Sequence, residues 1–322
     1  MDKPIPIFHS TTPVAITRRR ADKITSRIFS IVTFIPVALI FVITIALILR
    51  FMPILKEHSL WELITGMTWK PMKGEFGFAP FIVGTFWVTA LGVGLAVPPC
   101  ILTALYLAEY ARASTRTFMK PLLDLLAAIP SVVYGVWGVL AVVPLVEDVL
   151  KPTLGKWLGF IPLFADTQPT GYGILSGAIV LAVMIAPFII AIVYEVLMTV
   201  PQGLRQASLC IGATRWQTIR YVVLPQILPA IVAGIVLGAS RALGETMAVL
   251  MVVGNVPQMP SSVFDAAYPL PALIANNYGE MMSVPLYDAA LLGAALILLV
   301  IILIFNIASM LVLRRILERR TA

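Results

Sequence analysis

Charge is scarce in this chain. Asp, Glu, Lys and Arg make up 12% of its 322 residues, about half the share of an ordinary soluble domain. So few charged groups cannot cover the surface that a water-soluble fold of this length exposes. Histidine is limited to His9 and His58, and cysteine to Cys100 and Cys210. No Ser/His/Asp arrangement and no His-Glu-x-x-His motif is readable, and no Gly-rich loop ending in Gly-Lys-Ser/Thr is present to cradle nucleotide phosphates. The two cysteines are too few for a metal site. The topology below places Cys100 in a membrane span and Cys210 in a loop, whereas a disulfide needs Cα atoms within about 7 Å, so both are expected as free thiols. The chain therefore reads as one that needs no cofactor and catalyses no covalent chemistry. Energy for any work it does comes from elsewhere.

What the chain has in abundance is apolar sequence: 60% of residues are hydrophobic and the mean hydropathy is +0.97. A spanning helix needs roughly 20 apolar residues. Uncharged runs occupy residues 28–49, 76–108, 125–146 and 173–194, and two further apolar segments cover 227–254 and 289–313. The second run is too long for one span and is expected to enter the bilayer near Ile82. Six spans give an all-α integral membrane protein. With the N-terminus inside, sixteen Lys and Arg fall on the cytoplasmic side and six outside, with Arg241 the remaining one of 23. The last outside loop, residues 255–288, has none. The positive-inside rule therefore places both ends in the cytoplasm. The net charge of +7 reflects this topology and suggests no nucleic-acid partner.

The spans divide the chain into a disordered basic tail (1–27), an anchor (28–49), an external segment (50–80), a five-helix core (81–313) and a basic cytoplasmic tail (314–322). The first span is longer than a signal-peptide core and no small-residue cleavage site follows it, so it reads as retained. The cluster Arg18-Arg19-Arg20 fixes topology and can attract anionic lipid. In the external segment, Trp61 and Trp69 suit interfacial packing. The Pro- and Asn-rich loop 256–285 is either a plain loop or a contact for an external partner.

The cytoplasmic segment TVPQGLRQASLCIGATRWQTIRYVVLPQILP, residues 199–229, carries more information. Thr199-Val-Pro-Gln202 and Thr214-Arg-Trp-Gln217 both fit a capping box, and Gly212 can end a helix in a left-handed conformation. Two short helices joined at Gly212 and Ala213 are expected. On the first, Leu204, Ala207, Ser208 and Ile211 share one face. That knob either folds back on the bundle or plugs into a partner. The spacing Gln206-Ala207-Ser208, then Gly212, then Leu224-Pro225 resembles the EAA motif of ABC importer permeases, which forms a coupling helix docked in a groove of the ATPase. Gln206 stands where the motif has Glu, and Ser208 where it has the second Ala.

The resemblance extends over residues 80–313. GTFWVTALGVGLAVPPCILTALYLAEYA (84–111) looks like the first core span of the MetI-like permease fold. PLLDLLAAIPSVVYGVWG (121–138) and SRALGETMAVLMVVGN (240–255) resemble the permease subunits of high-affinity phosphate importers. The resemblance implies a subunit that works with a PstA-like permease, two PstB-like ATPases and an external PstS-like phosphate-binding protein. Other readings stay open: a permease for phosphonate, sulfate or molybdate, a passive anion channel, or a membrane sensor.

Arg241 and Glu245 stand within the fifth apolar segment. A charge at the bilayer centre costs about 2.5–3.5 kcal/mol, so both are expected to face protein or water. They form either a structural ion pair or an anion site. In the second case the forked guanidinium meets the ion and Glu245 accepts from a protonated phosphate oxygen, pairing with Arg241 when no ion is bound. Gly234 and Gly238 suit close helix approach, and Gly244 leaves room between the charges. Pro130 interrupts the third span, which makes Ser131 and Tyr134 candidates for the pathway. Glu109, Asp124 and Glu195, near cytoplasmic ends, read as solvated or salt-bridged.

Overall fold

Residues 13–165, 169–280, 284 and 286–321 are described by a computed structural model of the chain. Two units result, Met1–Arg50 and Phe51–Ala322. Helix α1 (Pro13–Leu55) makes up the first unit as far as Arg50. It begins earlier than the apolar run requires, and residues 13–27 are helical where disorder was expected. Pro13 sits at the first helical position, where its missing N–H is harmless. The Arg-, Ala- and Lys-containing stretch after it has good helix propensity and no breaker. Residues 1–12 lie outside the described residues.

The second unit opens with a small folded segment. After α2 (Leu60–Thr65), strands β1 (Trp69–Lys70) and β2 (Glu75–Phe76) pair antiparallel, with Trp69 opposite Phe76. Trp69 packs on Phe76, Phe78, Phe81 and Tyr287, with ring centroids 5.1–6.2 Å apart. Trp61 stays exposed.

Helix α3 (Ala79–Leu105) runs on through a wide turn to Tyr110. Helix α4 (Ala113–Ala128) follows, then α5 (Ser131–Trp137), α6 (Val143–Leu145) and α7 (Lys151–Leu158), joined by wide turns into one span. Next come α8 (Ile174–Met198), α9 (Gln202–Cys210), α10 (Arg215–Thr218), α11 (Leu224–Leu243), α12 (Met247–Val252), α13 (Leu270–Asn277) and α14 (Tyr287–Thr321). Among the described residues six helices are long and apolar enough to cross a membrane, the number expected.

Three spans differ from expectation at their boundaries. The third span begins at Ser131, not Leu125, because Ile129 before Pro130 is extended (ψ 129°) and cannot continue a helix. It also runs past Val146, through charges that find partners: Glu147 Oε2 accepts from the Gly171 N–H at 3.1 Å, and Lys151 donates to the Thr170 carbonyl at 2.5 Å. The fifth segment is broken. One continuous helix covers Arg215–Leu243 and stops at Gly244, and α12 restarts at Met247. The sixth helix continues through the basic tail as far as Thr321.

The axis of this unit is α8. Ile174, Leu181, Ile185, Ile189, Val193 and Leu197 are fully buried along it. Helix α3 packs on one side, with Gly92 against Leu181, and α11 on another, with Gly234 against Ile192 and Gly238 against Ile189. Lipid tails are as apolar as these side chains, so close fit rather than water exclusion holds such helices together.

The external loop 256–285 is not a plain loop. Residues 262–273 are buried, with Phe264 1% exposed. Main-chain bonds explain this. Ile174 and Leu175 donate to the carbonyls of Asp265 and Val263 at 2.9 Å, and Ala267 donates to Val253 at 3.1 Å. The first turn of α8 has free N–H groups to satisfy, and this segment supplies acceptors. Asp265 Oδ2 accepts from the Ser261 and Ser262 N–H groups at 2.7 and 2.8 Å. Residues 281–283 and 285 of the same loop lie outside the described residues.

Candidate functional site

The break after α11 sets the geometry. Gly244 is a poor helix former, and its N–H donates to Arg241 at 3.2 Å in a tight final turn. The Thr246 hydroxyl donates to the Gly244 carbonyl at 3.2 Å, offering the backbone a local alternative to helix. Irregular backbone at membrane depth is tolerated where protein or a water-lined cavity satisfies it. Helix α12 then packs against α5, with Gly135 against Met251 and Ala248.

Arg241 occupies the last turn of α11. It is exposed, and its guanidinium carbon lies 5.5 Å from the centroid of the Phe188 ring on α8. Among the described residues it makes no ion pair. Glu245, half-buried, instead accepts from the Ala248 N–H at 3.4 Å in the first turn of α12. The expectation that the two carboxylate and guanidinium groups pair assumed a continuous helix, and the break removes that shared face. Gly244 is the stop itself rather than a spacer.

Tyr134 is buried, 8% exposed, and its hydroxyl donates to the Leu126 carbonyl at 2.9 Å, bridging the Pro130 interruption to the end of α4. Ser131, half-buried, stands one turn earlier on α5. Glu245 thus stands apart from Arg241, and Tyr134 is engaged with the main chain of α4. Sequence reasoning missed Asn306: its Oδ1 accepts from the Ser240 hydroxyl at 2.7 Å and fixes α11 to α14 one residue before Arg241. A lone Asn in an apolar span was the available signal.

On the cytoplasmic side, α9 and α10 form the expected pair of short helices. Gly212 has φ +90°, and Thr214 and Gln217 make a full capping box, at 2.8 and 3.3 Å. The first expected box does not form. The Thr199 hydroxyl donates back to Val196 at 2.7 Å, closing α8, and Pro201 takes the cap position. The apolar knob stands away from the bundle: Leu204, Gln206 and Ala207 are exposed, and Ile211 is 86% exposed. Ser208 faces inward, its hydroxyl 2.9 Å from that of Thr218. Leu224 and Pro225 open α11.

The acidic residues near cytoplasmic ends include two with basic partners. Glu195 meets Lys120 at 2.6 Å, and that bond, followed by the carboxylate's charge, raises the Lys120 pKa. Glu109 meets Arg205 at 2.9 Å. Arg205, counted in the sequence only as a topology charge, is 9% exposed.

Residues 100–322 match the family of binding-protein-dependent transport system inner membrane components. The phosphate transport system permease protein PstC of Pasteurella multocida is 37% identical over 250 residues, 76% of this chain and 78% of that one. The probable phosphate transport system permease protein PstC of Methanocaldococcus jannaschii is 33% identical over 296 residues, 89% of this chain and 93% of its own. A chain of a bacterial alginate ABC transporter, crystallised with an alginate-pentasaccharide-bound periplasmic protein, aligns over 92% of this chain and 97% of its own, with a TM-score of 0.59 and 20% identity. At that identity the likeness concerns fold alone. The six-span architecture and these relatives make this a multi-pass inner-membrane protein. The chain belongs to the binding-protein-dependent transport system inner membrane components, within the PstC group of permeases.

Proposed function

We propose that the chain is the permease subunit through which an ATP-driven importer moves inorganic phosphate across the cytoplasmic membrane. The observation that carries this reading is the guanidinium of Arg241, exposed beside a helix break and without an ion-pair partner among the described residues, in a chain related to phosphate permeases. Phosphate suits a planar, permanently charged fork. Glu245, free of Arg241, accepts a hydrogen bond from a protonated phosphate oxygen and so favours a partly protonated ion. Ser131 lines the passage. Tyr134 holds its wall, since its hydroxyl is already engaged by Leu126.

The chain transports and the partners hydrolyse ATP. In the proposed assembly a PstA-like permease completes the membrane part, a PstS-like protein delivers phosphate outside, and two PstB-like ATPases dock below. The exposed Leu204, Gln206, Ala207 and Ile211 suit a groove on the ATPase. Gly212 sets the turn after them, and Ser208 ties the docking helix to α10. From Arg215 the helix is continuous through Leu224-Pro225 to Leu243. A displacement at its inner end therefore travels about 39 Å to Arg241, at 1.5 Å per residue.

The test is labelled-phosphate uptake into vesicles holding the assembled complex, with and without ATP, competed by sulfate, molybdate and phosphonate. ATP-dependent uptake displaced by unlabelled phosphate alone is expected. Uptake that ignores ATP would make this a passive channel, and displacement by another oxyanion would reassign the substrate.

A further inference from the structure

Helix α9 has two buried residues, Arg205 and Ser208, and neither is apolar. Its side chains therefore hold the bundle through polar bonds rather than a hydrophobic seam. Ser208 ties it to α10 through Thr218. Arg205 ties it to two spans at once. Its Nε and Nη2 donate to Glu109 Oε1 at 3.2 and 2.9 Å, on the wide turn that ends the second span. Nη1 donates to the Val200 carbonyl at 2.6 Å, and Nη2 also donates to that of Leu197 at 2.9 Å. These carbonyls lie where α8 closes, a place where helix geometry leaves acceptors unpaired and the dipole favours a cation. One guanidinium thus gathers the inner ends of two spans onto the helix that carries the exposed knob.

We propose that Arg205, clamped by Glu109, is a positioning residue of the transport cycle that passes movement of α9 to α3 and α8. This rests on the reading of α9 as the ATPase-docking helix. It adds a second route to the one along α10 and α11, and it acts on α3 and α8 rather than on the helix that bears Arg241. A planar fork with five donors fits the four bonds observed, and a lysine, a point charge with three donors, does not. The pair is buried, so parting its members would strand a charge. The joint therefore carries a displacement instead of yielding to it.

The test is a cycle of Arg205→Lys and Glu109→Gln in the assembled, reconstituted complex. Two quantities are read: ATP hydrolysed per phosphate taken up, and affinity for the ATPase. Each single variant raises the ATP used per phosphate by about tenfold without weakening ATPase binding, and the double variant adds little to either. An unchanged ratio in an assembled variant overturns the proposal. So does a change that merely follows weaker ATPase binding, which would place Arg205 in docking. Where one variant fails to assemble, the other decides; failure of both makes the pair a fixture of the fold and also overturns the proposal. Leu204→Asp, on the exposed face, separates the two readings. If it leaves ATPase binding intact, the docking reading falls and this proposal with it. If it weakens binding while Arg205→Lys keeps the ratio, only the positioning role falls.

Discussion

Arg241→Gln removes a charge and a forked donor from the break after α11. At an effective dielectric near 20, two unit charges about 4 Å apart interact by roughly 4 kcal/mol. At about 1.4 kcal/mol per decade, that is close to a thousandfold in affinity for the ion. Arg241→Lys keeps the charge and loses one charge-assisted hydrogen bond of about 1.5–3 kcal/mol, a loss of roughly ten- to a hundredfold. The fold should respond quite differently. What the variant loses in the resting protein is the stacking on Phe188, worth about 0.5–2 kcal/mol, while Glu245 keeps its bond to the Ala248 N–H. Had Arg241 been half of a buried pair, removing it would cost about 3–5 kcal/mol and show as lost assembly. The assay is the initial rate of labelled-phosphate uptake at matched complex levels, with the thermal midpoint of the purified complex measured alongside. Uptake near zero for Gln and intermediate for Lys, in complexes of near-normal stability, is expected. Unchanged uptake in the Gln variant refutes the anion site. A fall in stability that accounts for the lost uptake returns Arg241 to a structural part.

Three further outcomes follow from the same geometry. In Gly212→Val the added Cβ meets no neighbouring atom, but a branched side chain is forced to φ +90°, at about 1–3 kcal/mol. It should raise ATP hydrolysed per phosphate transported, and normal coupling would sink the docking role of this turn. Gln206→Glu adds one exposed charge, worth at most about 1 kcal/mol. ATPase affinity measured by titration should therefore change by less than about tenfold, and a several-hundredfold effect would show that a charge dominates docking. Gly238→Val places its Cβ 2.7 Å from Ile189 Cγ1 and overpacks the α8–α11 seam by about 1–3 kcal/mol. Less complex should survive size-exclusion chromatography after heating, and wild-type survival would mean that the seam can part.

Hydropathy located all six spans because a chain in lipid must satisfy every main-chain polar group internally, and a long apolar helix does so within one segment. It failed at Pro130 and Gly244 because apolar residues continue on both sides of each interruption. The charge cost of Arg241 was legible; its lack of an acidic partner was not, since that depends on one glycine stopping a helix. The knob at Leu204 and Ile211 followed from spacing, and the capping box at Thr214 from local chemistry. Arg205 was hidden by its own type: an arginine on a cytoplasmic helix satisfies the positive-inside count whether it faces water or Glu109. The burial of residues 262–273 was masked by the Pro- and Asn-rich loop around them, although Val263, Phe264, Leu270 and Leu273 are apolar, and main-chain acceptors draw that segment inward.

That buried segment has a consequence for how the protein is made. Its bonds reach back across the chain to Ile174 and Leu175, about ninety residues earlier, and to Val253. During synthesis α8 is therefore inserted with its first N–H groups lacking their eventual acceptors, and it stays so until residues 262–273 have been exported and have returned. The outer end of α8 is closed from outside, after the span that carries Arg241 is already in place and before α14 follows. A chain halted before Ser262 has its spans up to α11 but no closed outer face.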